Sequence, residues 1–187
     1  MIKEGYTRVT EILSPFTGYG AIDPVVLANA ADRGTKVHTI IEQILEGTYY
    51  DEIPEAYKGY IDSFQLYWDI NKFELVLMEQ RLYDDELMIT GQCDVIVIDK
   101  ESGMTYLLDW KTSYSVNKTW DLQGAAYEYM AAQSGHKVDK VLFIKLDKKG
   151  KAPKVIETKG TFEEFKAVKR IYEKFFKTKQ LPLLFED

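Results

Sequence analysis

The sequence predicts an α/β fold, a mixed central β-sheet flanked by α-helices, and three observations predict it. Helical and strand-like apolar patterns follow one another in the order helices, three strands, helix, two strands, helix. Two adjoining strands in the middle, around CDVIVI at 93–98 and LLDWK at 107–111, are strongly apolar and yet carry acids. A helix-like stretch then separates them from a further strand, KVLFIKL at 140–146. With 187 residues, 45% hydrophobic and 29% charged, one domain spanning 1–187 is expected, long enough for a sizeable core.

Residues 1–20 read as extended or irregular, because Ser14-Pro15, Gly18 and Gly20 interrupt any helix. PVVLANAA, from about Pro24 to Ala31, predicts a short helix. A second runs from about Arg33 to Leu45, with Val37, Ile40, Ile41 and Ile44 at helical spacing and Gly47 closing it. His38 and Glu42 share another face of that helix. Pro54 to about Asn71 predicts a third helix, whose Tyr57, Tyr60, Phe64, Tyr67 and Trp68 read as core. Phe73 to Tyr83 alternates as a strand.

The central hairpin follows, one strand from about Leu87 to Asp99 and the other from about Thr105 to Lys111, joined by the polar turn DKESG. Val116 to Ala132 predicts a helix buried along Leu122, Ala125, Ala126, Tyr129 and Met130, with Gln123 and Tyr127 projecting together. Lys140 to Leu146 is a strand, and the Lys-rich turn DKKGKAPK leads to a returning edge strand at about Val155 to Thr158. The last helix runs from Thr161 to about Thr178, with Thr161 and Glu164 as a capping box.

Strand alternation puts Asp109 and Lys111 on one face and Trp110 on the other, and pairing about the turn brings Asp94 near Asp109. Buried charge costs several kcal/mol, roughly, unless it is paired or bound to a metal. Two acids beside an amine suit a hard divalent cation such as Mg²⁺, with the lysine orienting a water or neutralising developing charge. The plainer reading is a hairpin salt bridge, since Asp-x-Lys alone is a common triplet. His38 alone reads as an ordinary helix-face residue; Glu42, on the same face, is open between supporting the site behind His38 and the commoner solvated helix glutamate. Glu79, on the preceding strand, is placed to approach the acids, while its neighbours suggest only a half-buried edge. Arg33 is open between a phosphate contact and a cap for its own helix. Lys148, Lys149, Lys151 and Lys154 read as a solvated face, and Trp68, Trp110 and Trp120 as core.

Charge and composition narrow the classes further. The formal net charge of −6 excludes a protein coated in basic surface but not an acidic metal cleft with local lysines. The lone Cys93 permits no internal disulfide and no multi-cysteine zinc or iron–sulfur site, so a reducing, cytoplasmic setting is expected. No run approaches the ~18 apolar residues of a membrane span, and MIKEGYTRVTEIL lacks the apolar stretch of a signal peptide.

Five short segments, in this order, carry a resemblance to a known family: YTRVTEIL at 6–13, RGTKVHTIIE at 33–42, GQCD at 91–94, DWKTS at 109–113 and QGAAY at 123–127. They resemble the motifs of PD-(D/E)XK nucleases of the RecB type. More narrowly, they resemble those of small phage exonucleases and of the mitochondrial genome maintenance exonuclease group. The resemblance implies a restriction-endonuclease-like core and a Mg²⁺- or Mn²⁺-dependent DNA exonuclease of phage or prophage DNA processing and recombination. Its reaction would cut a phosphodiester to leave a 5′-phosphate and a 3′-hydroxyl. By the same resemblance, Asp94, Asp109 and Lys111 are catalytic, and Asp94, Asp109, the Trp110 carbonyl and His38 bind metal. Gln123 and Tyr127 flank the cleft and contact DNA or hold the motif residues. DNA is the implied partner, with recombination or replication proteins beside it. No membrane association is expected, and polarity, strand preference and oligomeric state stay open. An endonuclease of the same fold and a non-catalytic DNA-binding recombination accessory are the rival readings.

Overall fold

The computed structural model describes residues 2–49 and 51–177. Over them the chain runs β1 (Thr7–Arg8), α1 (Val9–Leu13), two 3₁₀ turns (Ser14–Phe16 and Tyr19–Ala21), α2 (Pro24–Glu46), α3 (Glu55–Ile70), β2 (Phe73–Met78), β3 (Arg81–Asp84) and β4 (Ile89–Gln92). It continues through β5 (Val95–Asp99), β6 (Thr105–Lys111), α4 (Thr119–Gln133), β7 (Lys140–Lys145), β8 (Lys154–Glu157) and α5 (Phe162–Phe175). Five strands form the main sheet in the order β2-β5-β6-β7-β8, with β6 and β7 parallel and the other pairs antiparallel. A small sheet, β1-β4-β3, adjoins it.

Strand alternation sorts the side chains of the main sheet between two helical layers. Val95, Val97, Leu108, Trp110, Leu142 and Ile144 pack with Val37, Ile40 and Ile41 of α2 and Tyr60, Ile61 and Phe64 of α3. Ile96, Leu107, Val141 and Phe143 pack on the other face with α1, α4 and α5, and Leu82 and Ile89 of the small sheet share that core. The aromatic residues of α3 are core, as their pattern predicts: Phe64 meets Trp110 edge-on at 5.1 Å and stacks on Trp68 at 5.7 Å.

The structure revises the expected elements in four places. Residues 1–20 are not irregular throughout, since Thr7 pairs with Ile89 and α1 follows at once. Val9, Ile12 and Leu13, at helical spacing, are buried, so five residues fold on tertiary contacts too short for periodicity to reveal.

The two helices expected at 24–31 and 33–45 are one helix, α2. Asp23 caps it by accepting from the Val25 and Val26 N–H groups, and Gly47 ends it at φ 70°. A glycine inside a helix costs about 1 kcal/mol relative to alanine. Gly34 therefore cannot outweigh the burial of Val37, Ile40 and Ile41 in the same helix.

The strands expected at 73–83 and 87–99 each divide in two, at Glu79–Gln80 and at Cys93–Asp94. The breaks lie opposite each other: Glu79 N–H donates to the Asp94 carbonyl at 2.7 Å and Cys93 N–H to the Gln80 carbonyl at 3.2 Å. One half of this bent hairpin joins the main sheet and the other the small sheet. Glu79 absorbs the bend at φ 50°, and β2 is also irregular between Leu75 and Leu77.

Smaller shifts complete the comparison. Helix α4 begins at Thr119 rather than Val116, and β8 lies one residue earlier than expected. The capping box is present: Glu164 N–H donates to Thr161 Oγ1 at 3.3 Å and Thr161 N–H to Glu164 Oε2 at 2.7 Å. The expected end of that helix, Thr178, lies outside the described residues. Among the described residues no helix is long and apolar enough to cross a membrane.

Candidate active site

The site is built where β5 stops and β6 continues. Leu146 N–H donates to the Lys111 carbonyl and Asp139 N–H to the Thr105 carbonyl, each at 2.8 Å. The odd-numbered backbone groups of β6 therefore face β7 and the even-numbered ones face β5. Because β5 begins at Val95, opposite Leu108, Trp110 reaches past its end. Asp94 fills that gap, accepting the Trp110 N–H on Oδ2 at 2.7 Å. The Trp110 carbonyl opens to the same side of β6 as its N–H. The Trp110 ring points away, into the α2–α3 core.

Asp94 Oδ1 meets His38 Nδ1 of α2 at 3.1 Å. Asp109 and Lys111 share the opposite face of β6, as alternation predicts. Lys111 Nζ lies 2.6 Å from Asp109 Oδ1. Asp109 Oδ1 is buried, and the lysine ammonium is the cation that offsets its charge. Gln123 of α4 bridges the pair, donating through Nε2 to Asp109 Oδ2 at 3.2 Å and accepting from Lys111 Nζ on Oε1 at 3.3 Å. The lysine head also lies over the Phe143 ring at 4.8 Å.

Burial opposes a charge on His38, but the adjacent Asp94 carboxylate outweighs it, with Asp109 adding to the pull, and the imidazole is raised to about 9. Burial also pushes Asp109 above the usual carboxylate range; Lys111 counters this and Asp94 adds to it. Glu79 is raised to about 7, first by burial and then by Asp94. These values describe a site whose acids are hard to ionise together without a cation.

Glu79 is half-buried, as its neighbours suggest, and it does approach the acids: the bend brings its carboxylate beside Asp94 and His38, and one ligand-type atom from each lies within 4.8 Å of the others. Gln92 Nε2 donates to Glu79 Oε2 at 2.6 Å. The apolar run Leu75–Met78 and the polar run Glu79-Gln80-Arg81 break the alternation of residues 73–83, and this is the local signal that could have marked the bend.

The other candidates fall into place around this centre. Gln123 and Tyr127 are both buried, Tyr127 in the core between α4 and the small sheet. Arg33 Nη2 donates to the Thr112 carbonyl at 3.4 Å, and its guanidinium lies 5.8 Å from the Tyr60 ring. Glu42 lines the cleft of about 410 Å³ that also holds His38, Glu79 and Asp94. A larger cleft of about 820 Å³ opens on the other side of His38, over Lys111, Thr112, Ser113 and Gln123. Lys148, Lys149, Lys151 and Lys154 are exposed, while Trp120 stacks on Phe143 at 5.5 Å.

An imidazole nitrogen and carboxylate oxygens at these separations suit a divalent cation, whose ligands lie about 2.0–2.6 Å from it. A mixed sheet with helices on both faces and an acid–acid–lysine set at the end of a central strand defines a hydrolytic nuclease of the restriction-endonuclease-like class. The chain belongs to the PD-(D/E)XK nuclease superfamily, whose family model matches residues 57–181. That match spans Asp94, Asp109, Lys111, Gln123 and Tyr127 and begins after His38. Members of this superfamily use divalent metals, and DNA is the substrate that the family implies.

Two solved structures are similar in shape. One is a protein named SSO0001, with a TM-score of 0.45 and 14% identity, covering 92% of this chain and 76% of that one. The other is a Eubacterium rectale protein provisionally named an exonuclease, with a TM-score of 0.43 and 13% identity, covering 91% of this chain and 78% of that one. No curated protein matches the chain in sequence.

Proposed function

We propose that the protein is a Mg²⁺- or Mn²⁺-dependent DNA exonuclease serving phage or prophage DNA processing and recombination. The observation that carries the reading is the convergence of Asp94, Asp109 and Lys111 at the end of β5. Asp94 is tied to the Trp110 backbone at 2.7 Å and Asp109 to Lys111 at 2.6 Å. Family membership supports the nuclease part of the reading. The motif resemblance supports exonuclease action and a phage setting.

Asp94, Asp109 and the Trp110 carbonyl would hold the cation, and His38 would complete that site or hold a second cation beside it. When bound, the cation lowers the pKa of its water and stabilises negative charge on the attacked phosphate. Lys111 orients the attacking water and offsets charge on the phosphate oxygens. Gln123 holds Lys111 and Asp109 in one geometry, which keeps the amine aimed while its carboxylate partner stays in place. The larger cleft, with Lys111 at its floor, gives a nucleic-acid end room beside the amine. Hydrolysis leaves a 5′-phosphate and a 3′-hydroxyl.

The test is degradation of linear single- and double-stranded DNA, labelled at either end, beside closed circles, with Mg²⁺, Mn²⁺ or chelator. Metal-dependent shortening of linear DNA with intact circles is expected, and its loss in Asp109→Ala and Lys111→Ala. Cut circles would assign an endonuclease instead. DNA binding without turnover by the wild type would assign a non-catalytic accessory.

A further inference from the structure

Glu79 faces the cleft shared by His38 and Asp94, and none of the roles given above uses it. Its carboxylate is held at one oxygen: Gln92 Nε2 donates to Oε2 at 2.6 Å, and Gln92 Oε1 in turn accepts from Arg81 Nη2. That clamp orients the side chain and leaves the second oxygen available. The backbone beneath it is equally committed, since Glu79 is held at φ 50° by its N–H bond to the Asp94 carbonyl. A residue with a Cβ rarely adopts that conformation.

The arrangement brings one imidazole nitrogen and two carboxylates into a group spanning 4.8 Å. Two carboxylates this close repel each other unless a proton or a cation lies between them. Asp109 stands apart from this trio, with Lys111 on one oxygen and Gln123 on the other. Asp94 faces both ways, one oxygen toward His38 and the other at the Trp110 N–H of β6.

We infer that Glu79 is a cation ligand, and that with His38 and Asp94 it forms a seat for Mn²⁺ or Mg²⁺ separate from the Asp109 side of the site. The inference rests on the nuclease reading only for the class of ion. Imidazole with two carboxylates suits Mn²⁺ well, which makes it the probe of choice.

The test is Mn²⁺ binding without DNA, by calorimetry and by electron paramagnetic resonance, in the wild type, Glu79→Gln, Glu79→Asp and Asp109→Asn. Glu79→Gln keeps an acceptor for Gln92 while removing the charge, and a thermal melt in chelator checks that each variant folds. Loss of one bound Mn²⁺, or weakening by about tenfold or more, is expected in both Glu79 variants, with that ion retained in Asp109→Asn. Wild-type Mn²⁺ binding in folded Glu79→Gln would overturn the inference, as would loss of every ion in Asp109→Asn. Neither result touches DNA cleavage by the wild type, so this inference and the nuclease reading fail separately.

Discussion

Asp94 accepts the backbone N–H of Trp110 at 2.7 Å, replacing with a side chain the ladder bond that β5 would have made had it begun earlier. The carboxylate is thus a structural patch on β6 as well as a candidate ligand. A buried N–H left without an acceptor costs about 1–3 kcal/mol. Asp94→Ala should therefore lower stability by about that amount in chelator, whereas Asp94→Asn, which keeps an acceptor oxygen, should lose less. Both should lose metal-dependent cleavage. Urea unfolding in chelator beside a cleavage assay separates the two roles, and equal stability losses in both variants would contradict the patch.

Gly91 lies against the ring of Tyr127: a Cβ added there would come within 2.3 Å of Cε1. Tyr127 is enclosed in the core and has nowhere to withdraw. Two of the motif segments, GQCD and QGAAY, meet at this contact, which sets how α4 rests on β4. Overpacking a filled core costs about 1–3 kcal/mol. Gly91→Ala should destabilise the protein by that order, and Tyr127→Phe should not rescue it, because the clash is with ring carbons. Urea midpoints of the single and double variants check this.

What the sequence revealed and what it hid divide along a physical line. Alternation in β6 separates Asp109 and Lys111 from Trp110, and local capping chemistry marks Gly47 and the Thr161–Glu164 box, because these depend on neighbours a few residues away. The continuity of α2 through Gly34 was hidden, since burial of Val37, Ile40 and Ile41 overrides a weak local breaker. The bend at Glu79 rests on a hydrogen bond to the Asp94 carbonyl, 15 residues along the chain; the polar run Glu79-Gln80-Arg81 marks a break in the strand pattern but not what the freed backbone pairs with. The burial of Gln123 beside Asp109 and Lys111 likewise needs the packing of α4 on the sheet, which spacing alone does not give.

The acids and His38 make stability depend on pH when no cation is present. His38 is raised from 6.5 to about 9 in the folded protein, so its contribution is complete below about pH 6.5 and lost as pH rises through 9. Glu79, raised from 4.5 to about 7, acts in the same direction at lower pH: the folded state holds the proton longer, so stability falls as pH rises from 4.5 to 7. In chelator, stability should therefore fall across this range, with His38 accounting for up to about 3 kcal/mol. His38→Gln should flatten the arm between about pH 6.5 and 9. A bound divalent cation takes the place of the protons, so added Mn²⁺ should restore stability most at the alkaline end. Thermal melts over pH in chelator and in Mn²⁺ read both effects.

Two roles for Gln123 are open from the sequence, touching DNA or holding the motif residues, and its hydrogen bonds favour the second. It is buried, and its amide spends Nε2 on Asp109 and Oε1 on Lys111. The expectation is therefore that Gln123 acts on the chemical step, through the aim of the lysine. Hydrogen bonds to charged groups contribute about 1.5–3 kcal/mol, and each 1.4 kcal/mol, roughly, is tenfold in rate. Gln123→Ala should thus lower kcat by about tenfold to a hundredfold. DNA affinity and its salt dependence, measured in chelator, should stay as in the wild type. Gln123→Glu retains an acceptor for Lys111 but sets a carboxylate against Asp109, so it should lose activity as well and bind Mn²⁺ more tightly at high pH. A Gln123→Ala variant with wild-type kcat and weakened DNA binding would move the residue from positioning to substrate contact.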